Sequence, residues 1–459
     1  MKNHLFGTFD NSQYFKRLKF FRYFKYFSCF MHSKLCLPML VLFLPAQAIS
    51  QKVVTLKECY EKAYAVAPVA AEKDAYREIW QLKDENLSKG WLPTLDANGS
   101  FVYNSSVVDM GDILGSLPAM AGKIQPMPHE QYKITLDVNQ TIYDGGAVKH
   151  ARTVEKADLD INQKQTEADL YKLRNQVNGY YFNILLLDRQ KELLKSYLEL
   201  IVRRIASVNS ALASGTALKS DLDVLLSEKI TLEQQITENG IRKTSFVKIL
   251  SGLTGTGMDT STEFTLPVAG ENLAYAINRP ELQMFDLRKQ QLEASLQVLQ
   301  SKRMPKAFGF ATLGYGNPPG SNFFKDEFAP YYILGAGVKW NIYDWNKVRN
   351  VKQIVSIQQR ILDGRKEDMT ENLKRLLDAK SADILSLESL LNTDKELIEI
   401  RKRITAVSES KYNNGTITAT EYMNELNSER QAMINYEIHK INLAMARVEY
   451  INISGKEIE

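Results

Sequence analysis

The chain has 459 residues and a formal charge of +4, with 44% hydrophobic and 24% charged residues, a balance that excludes a disordered chain. After residue 50 no apolar run approaches the ~18 residues of a membrane-spanning helix, which excludes a bundle of such helices. The five histidines and three cysteines are scattered, which argues against a zinc site, a haem site or a disulfide scaffold.

The first element is a leader. Residues 35–44 form an apolar run, Lys34 precedes it, and Ala46-Gln47-Ala48 follows as a small-x-small cleavage signal. This reads as a secretory signal peptide spanning 1–48 with an extended N-region. Translation from Met31 instead of Met1 would give a more compact leader. Removing 1–48 takes away seven Lys/Arg and one Asp and leaves a charge of −2. The basic balance therefore belongs to the leader and gives no argument for nucleic acid. Only Cys59 remains after cleavage, so no intrachain disulfide can form.

Past the leader the sequence is written twice. Ile142-Tyr143-Asp144 recurs as Ile342-Tyr343-Asp344, and Gly215-Thr216 as Gly415-Thr416. Leu250-Ser251-Gly252 answers Ile453-Ser454-Gly455, and Trp91-Leu92-Pro93 answers Arg303-Met304-Pro305. Collinear matches predict two repeats, 49–252 and 271–459, joined by a Gly/Pro/Thr-containing linker at 253–270. Each repeat is expected to run helix (56–90; 272–303), two strands (95–103 and 131–143; 307–315 and 331–343), long helix (146–213; 346–413), Gly-Thr turn, and return helix (217–251; 417–452). The extra residues of the first repeat fall in the loop 104–130.

The first long helix keeps a heptad stripe through Leu173, Val177, Tyr180, Ile184, Leu187, Leu194, Leu198, Ile201, Ile205, Val208 and Leu212, interrupted at Lys191. The second carries Leu373, Leu377, Ile384, Leu387, Leu391 and Ile398, then a slip to Ile400, Ile404 and Val407. Such a stripe needs a partner helix along its length. At 1.5 Å per residue each long helix reaches roughly 100 Å, more than a globular domain spans. The helices alone also fit a soluble coiled coil. The strands decide against it. Three of them alternate apolar and polar residues with aromatics near their ends, and 307–315 does so less cleanly, as membrane β-barrel strands do. Four strands cannot close a barrel, and open edges are not tolerated in lipid. Two chains would give a filled eight-stranded barrel; three would give twelve strands, the smallest multiple that leaves a pore, and cyclic symmetry favours the trimer. The fold class is therefore α+β: a long helical coiled-coil barrel joined to a four-stranded share of a trimeric twelve-stranded transmembrane β-barrel.

In this order of elements the chain resembles the TolC family of outer-membrane efflux and secretion channels, over about 53–455. The signatures are Trp91-Leu92-Pro93 entering the first strand, Tyr143-Asp144-Gly145-Gly146 leaving the second, and Tyr412-x-x-Gly415 at the second turn. The resemblance implies a homotrimer in the outer membrane of a Gram-negative bacterium, in contact with its lipid. The helical part would lie in the periplasm, where a periplasmic adaptor (membrane fusion) protein and a proton-driven or ATP-driven inner-membrane pump dock. It implies a passive export duct with no cofactor, no metal and no nucleic acid. By position after the Gly-Thr turns, Glu421 and Asn424 match the family's acidic aperture, Ser220 and Asp221 the first-repeat side of the gate, and Tyr412 the gate tyrosine. Gly215, Thr216, Gly415 and Thr416 form the tip turns. Ile417 stands where some members carry a gate arginine, so that ion pair is missing. Glu421 and Asp221 also fit the plainer role of first-turn helix acids.

Two other classes remain to be weighed. A periplasmic coiled-coil adaptor should show one helical hairpin and a compact β-domain between its halves. An enzyme should show a catalytic constellation, and no Ser/His/Asp set, carboxylate pair or phosphate loop stands out. Gly252 to Gly257 is Gly-rich but ends a helix, which makes it a terminator.

Overall fold

The computed structural model describes residues 53–108, 126–268, 276–323 and 325–457. The leader and most of the loop 104–130 lie outside the described residues. Helices α1 (Leu56–Val66), α2 (Glu72–Ser88), α3 (Ala147–Ala213), α4 (Lys219–Thr254), α5 (Pro280–Ser301), α6 (Lys347–Asn413) and α7 (Ala419–Ser454) alternate with strands β1 (Val53–Val54), β2 (Thr94–Tyr103), β3 (Glu130–Tyr143), β4 (Glu263–Phe264), β5 (Lys306–Asn317) and β6 (Ala329–Lys339).

Three element boundaries differ from those expected. The helix expected over 56–90 is broken. Pro68 cannot continue α1, and a 3₁₀ turn at Pro68–Ala71 separates it from α2. The helix expected from 272 begins at Pro280, where a proline at the first position loses no hydrogen bond. The strand expected over 331–343 stops at Lys339. That residue pairs with Lys306, the first residue of β5, so beyond it no partner remains. The linker also holds more structure than its composition implies: Glu263–Phe264 pairs in parallel with Val53–Val54.

That small pairing sits in a core. Val54, Cys59, Tyr60, Val177, Tyr181, Phe182, Ile184, Val247, Leu250 and Val448 are buried together, drawing α1, α3, α4 and α7 against the strand pair. The Tyr181 hydroxyl donates to the Thr265 carbonyl at 2.6 Å, with the Val54 carbonyl at 3.0 Å. Next to it Arg174 is buried among Tyr60, Tyr64 and Tyr171, with ring centroids at 5.3, 5.8 and 4.3 Å. It ties α3 to the chain's end through the Lys456 carbonyl at 3.1 Å. Cys59 is fully enclosed here, and burial pushes its thiol up to about 12. The reactive species is the thiolate. A maleimide at mildly alkaline pH should therefore leave the cleaved, folded chain unlabelled and label it fully in denaturant; labelling of the native chain would mean that this core opens.

The two long helices are each 67 residues, about 100 Å, and each return helix is 36 residues. Helix α3 packs along α4, and α6 along α7. The expected slip in the second stripe is not seen. The buried or half-buried seam runs Leu377, Ile384, Leu391, Ile398, Thr405 at an unbroken spacing of seven. It ends on a polar residue whose hydroxyl donates to the Glu425 carbonyl at 3.4 Å. Ile400, Ile404 and Val407 point away and are exposed. A threonine on the seam is what hid it from a hydrophobic count. In α3 the core is wider than one stripe. Tyr181, Phe182, Leu185 and Tyr197 are buried beside it, because α3 also packs on α1, α5 and α7.

Strands β2, β3, β5 and β6 form one antiparallel sheet in that order, so strands from both halves share it. The register puts Leu95, Phe101, Tyr132, Ile134, Leu136, Val138, Leu313, Tyr315, Tyr332, Leu334 and Val338 on one face. Most of them are exposed. The opposite face carries Asp96, Asn98, Asp137, Thr135 and Thr312. There the Asp137 carboxylate accepts from Asn98, Thr135 and Thr312 at 2.8, 2.8 and 2.5 Å. Phe308, Phe310 and Tyr331 lie on this polar face too, their rings flat over Gly337, Gly335 and Gly314; a β-carbon at any of these glycines would fall within 2.6 Å of a ring atom. This explains why 307–315 alternates poorly: its aromatics cover glycines across the sheet.

The turn from sheet to long helix explains the repeated Ile-Tyr-Asp. The Asp144 carboxylate accepts from the Gly146 and Val148 amides at 2.8 and 2.6 Å, and Asp344 from Val348 at 3.1 Å. Each caps the first turn of its helix. After Asp144 the backbone turns left-handed through Gly145 and Gly146. After Asp344 the same turn is made by Trp345 (φ 52°) and Asn346 (φ 62°). For tryptophan this conformation costs about 1–2 kcal/mol.

Candidate functional site

The tips of the two hairpins, α3–α4 and α6–α7, carry every candidate gate residue. Their turns are built alike. Gly215 (φ 73°) and Gly415 (φ 70°) take the left-handed conformation that ends a helix without β-carbon strain. The next residue then returns twice to one carbonyl. Thr216 N–H and hydroxyl donate to Ala211 at 2.9 and 3.0 Å, and those of Thr416 to Lys411 at 2.9 Å each. Threonine follows glycine because its hydroxyl adds a second donor to an orphan carbonyl.

The return helices start differently. Thr418 and Glu421 form a reciprocal capping box: the Thr418 amide donates to the Glu421 carboxylate at 2.8 Å, and the Glu421 amide to the Thr418 hydroxyl at 3.2 Å. The backbone amide and hydroxyl of Thr418 hold the Glu421 carboxyl below its ordinary range. Helix α4 has half of this device. The Asp221 carboxylate accepts from the Leu218 amide at 3.2 Å, and leucine offers no acceptor in return.

Between the turns lies a cleft of about 500 Å³. Asp221, Glu421, Tyr412, Thr216, Gly415 and Thr416 line it, together with Ile417 and Arg204. Ser220 and Asn424 are exposed but do not line it. Tyr412 stacks on Tyr422, with centroids 5.4 Å apart and planes at 8°. Burial first, then the Asp221 charge, pushes the Tyr412 phenol up.

Sequence reasoning missed Arg204. From α3 its guanidinium donates to Asn413 at 3.0 Å, to the Glu409 carboxylate, and to the Tyr422 hydroxyl at 3.4 Å. It also lies 5.2 Å from the Tyr422 ring centroid. Ile417, partly buried, packs into the apolar cluster of the tip with Tyr412 and Leu222. The cation that Ile417 lacks is thus supplied from the other hairpin. Further along, Arg430 of α7 meets Glu228 of α4 at 2.6 Å, with little of either side chain exposed. The available signal was Arg204 flanking the stripe residues Ile201, Ile205 and Val208, where coiled coils place interhelical ion pairs. Among the described residues no group of His, Cys, Asp and Glu is arranged to hold a metal.

Two hairpins of this length, with a sheet drawn from both halves, do not match an adaptor with a single hairpin. Comparison with known proteins points the same way. Residues 69–229 match the family model described as outer membrane efflux protein. The matched stretch, about a third of the chain, runs from the entry of α2 through the first sheet hairpin and α3 into α4. Solved structures extend the likeness over the fold. The outer membrane protein VceC from Vibrio cholerae shares 12% identity, with 88% of this chain and 97% of that one covered at a TM-score of 0.63. CusC, described for its folding and transmembrane channel formation, shares 13% identity over 88% and 92% at 0.63. The Neisseria gonorrhoeae MtrE outer membrane channel in its open state shares 13% over 88% and 89% at 0.61. No curated protein sequence matches the chain.

Proposed function

We infer that three copies of this chain form a passive duct through the outer membrane of a Gram-negative bacterium, each giving four strands to a twelve-stranded barrel. The observation that carries this is the sheet. It has a continuous apolar face left exposed, a polar opposite face, and edge strands β2 and β6 that have no partner on their outer sides among the described residues. Strands of about 11 residues span roughly 35 Å; tilted about 40°, they fit the ~25 Å apolar band of an outer-membrane barrel. The two halves, 49–252 and 271–459, are read as structural repeats, since their long and return helices match in length and order. The helices then form a periplasmic tunnel. The apolar residues left uncovered on α6 (Ile400, Ile404, Val407) and on α4 (Ile230, Ile241) pack against neighbouring copies. An adaptor protein and an inner-membrane pump, proton-driven or ATP-driven, dock at the helical end and export cargo through the duct.

The gate in this reading is the tip, where three copies of Glu421 bring like charges together near the axis. A confined ring of carboxylates attracts cations. Glu421→Gln should lower cation preference in planar bilayers with little loss of stability, because the side chain is exposed. In one copy the Thr418 amide and hydroxyl favour the charged carboxylate, whereas like charges brought together in a ring disfavour it; acidification protonates the ring, so the cation preference should fall as pH is lowered and be unchanged by pH in the Gln variant. Unchanged selectivity in the variant would place the aperture elsewhere.

A further inference from the structure

Where β6 gives way to α6, the surface is built against the needs of the fold. Trp345 holds a left-handed backbone that glycine holds in the equivalent turn after β3, yet the residue is 78% exposed. A bulky, exposed residue in a strained turn, packed only edge-on against another exposed aromatic among the described residues, points to a role outside its own chain. Its ring meets Tyr343 edge-on at 4.9 Å, and Tyr343 is exposed as well. Beside them the Trp340 indole, also exposed, donates to the Arg303 carbonyl at 3.0 Å, which fixes the β6 exit against the α5–β5 turn.

The charge at this turn is one-sided. Lys302, Arg303 and Lys347 are exposed. Among the described residues Lys302 and Lys347 have no ion-pair partner, and Arg303 reaches only Asp344, at 3.8 Å. The two acids of the region, Asp144 and Asp344, are turned inward onto helix amides. At the opposite end of the sheet the described charges are mixed: Glu130, Lys325, Asp326 and Glu327. Exposed aromatics next to unpaired cations, continuous with the apolar face of the sheet, fit the level where acyl chains meet phosphates.

We propose that this turn, centred on Arg303, Trp340 and Trp345 with Lys302 and Lys347, binds the phosphate headgroups of anionic phospholipid in the leaflet on the helical side of the membrane. The proposal rests on the barrel reading above. The tryptophans sit at the headgroup level and the cations pair with phosphate, so each protomer carries its own lipid anchor at the base of the barrel. A zwitterionic headgroup offers the same phosphate but adds an ammonium that the cations repel, so an anionic lipid is favoured.

The test reconstitutes the full assembled chain into phosphatidylethanolamine vesicles with and without added phosphatidylglycerol, and follows the thermal dissociation of the assembly. The native protein should dissociate at higher temperature with phosphatidylglycerol. The triple variant Lys302→Gln, Arg303→Gln, Lys347→Gln should lose more than half of that shift, and the charge-preserving set Lys302→Arg, Arg303→Lys, Lys347→Arg should keep most of it. Trp345→Gly should separate fold from lipid: in detergent it should be at least as stable as the native chain, because the turn is relaxed, while in vesicles its phosphatidylglycerol shift should shrink. A full shift in the triple variant, no shift in the native protein, or the same shift produced by inorganic phosphate in detergent overturns the proposal. If the native chain does not insert into vesicles at all, the barrel reading falls and this proposal with it; insertion without headgroup dependence removes the lipid site alone.

Discussion

Arg204→Ala should open the tip. The guanidinium is mostly buried and joins α3 to both α6 and α7. Hydrogen bonds to a charged group contribute about 1.5–3 kcal/mol, and the half-exposed Glu409 places this set toward the low end. In the proposed trimer, about 1–2 kcal/mol per copy, repeated in three copies that move together, would shift a closed-to-open equilibrium by a hundredfold or more, at about 1.4 kcal/mol per tenfold. Conductance in planar bilayers should rise strongly while overall thermal stability changes little, because the buried core around Tyr181 lies far along α3. Arg204→Lys keeps the charge but loses the planar fork that serves three acceptors at once, so it should fall between. Conductance unchanged in Arg204→Ala would mean that the closed state is held elsewhere, and Arg430 with Glu228 would be the next pair to examine.

Arg204 shows what the sequence carries and what it withholds. Local devices were legible because a few adjacent residues encode them. Gly-Thr marks a helix end, a first-turn acid such as Glu421 marks a helix start, and alternation marks a strand. Pairing across the sheet was less legible. The aromatics of β5 read as broken alternation, since nothing in β5 itself says that their rings cover glycines of β6 and Gly314 lies under Tyr331. The seam of α6 is masked for a related reason: Thr405 occupies a buried position by bonding a carbonyl, and a hydrophobic count skips it. Arg204 bonds residues some two hundred positions away. Its place beside the stripe could mark Arg204 as an interhelical cation, but only the folding of one hairpin onto the other brings its partners to it, so no local pattern could name those partners. Asp221 and Glu421 were legible as acids at the right turn, and the structure shows both as cap ligands. That local role coexists with a charge facing the cleft, which is why the selectivity measurement, and not the geometry, decides the gate.

The largest effect is expected at two neighbouring residues of β6. Leu334 and Ile333 lie mid-strand, both apolar and both exposed, but on opposite faces of the sheet. If the apolar face meets lipid, Leu334→Arg places a cation near the bilayer midplane at a cost of about 2–4 kcal/mol per copy. Three copies cost about three times that, comparable to the whole stability of an ordinary domain. The variant should therefore fail to appear as an assembled channel in the outer-membrane fraction. Ile333→Arg places the same charge on the polar face, where it points into water and where Asp137, opposite Thr312, favours it. It should assemble normally and lower the channel's preference for cations. On a soluble sheet with both faces wet, each change would fall within about 0.5 kcal/mol of neutral, and the two would be indistinguishable. Equal tolerance of both substitutions would therefore remove the barrel, whereas loss of assembly in Leu334→Arg alone assigns the lipid face residue by residue.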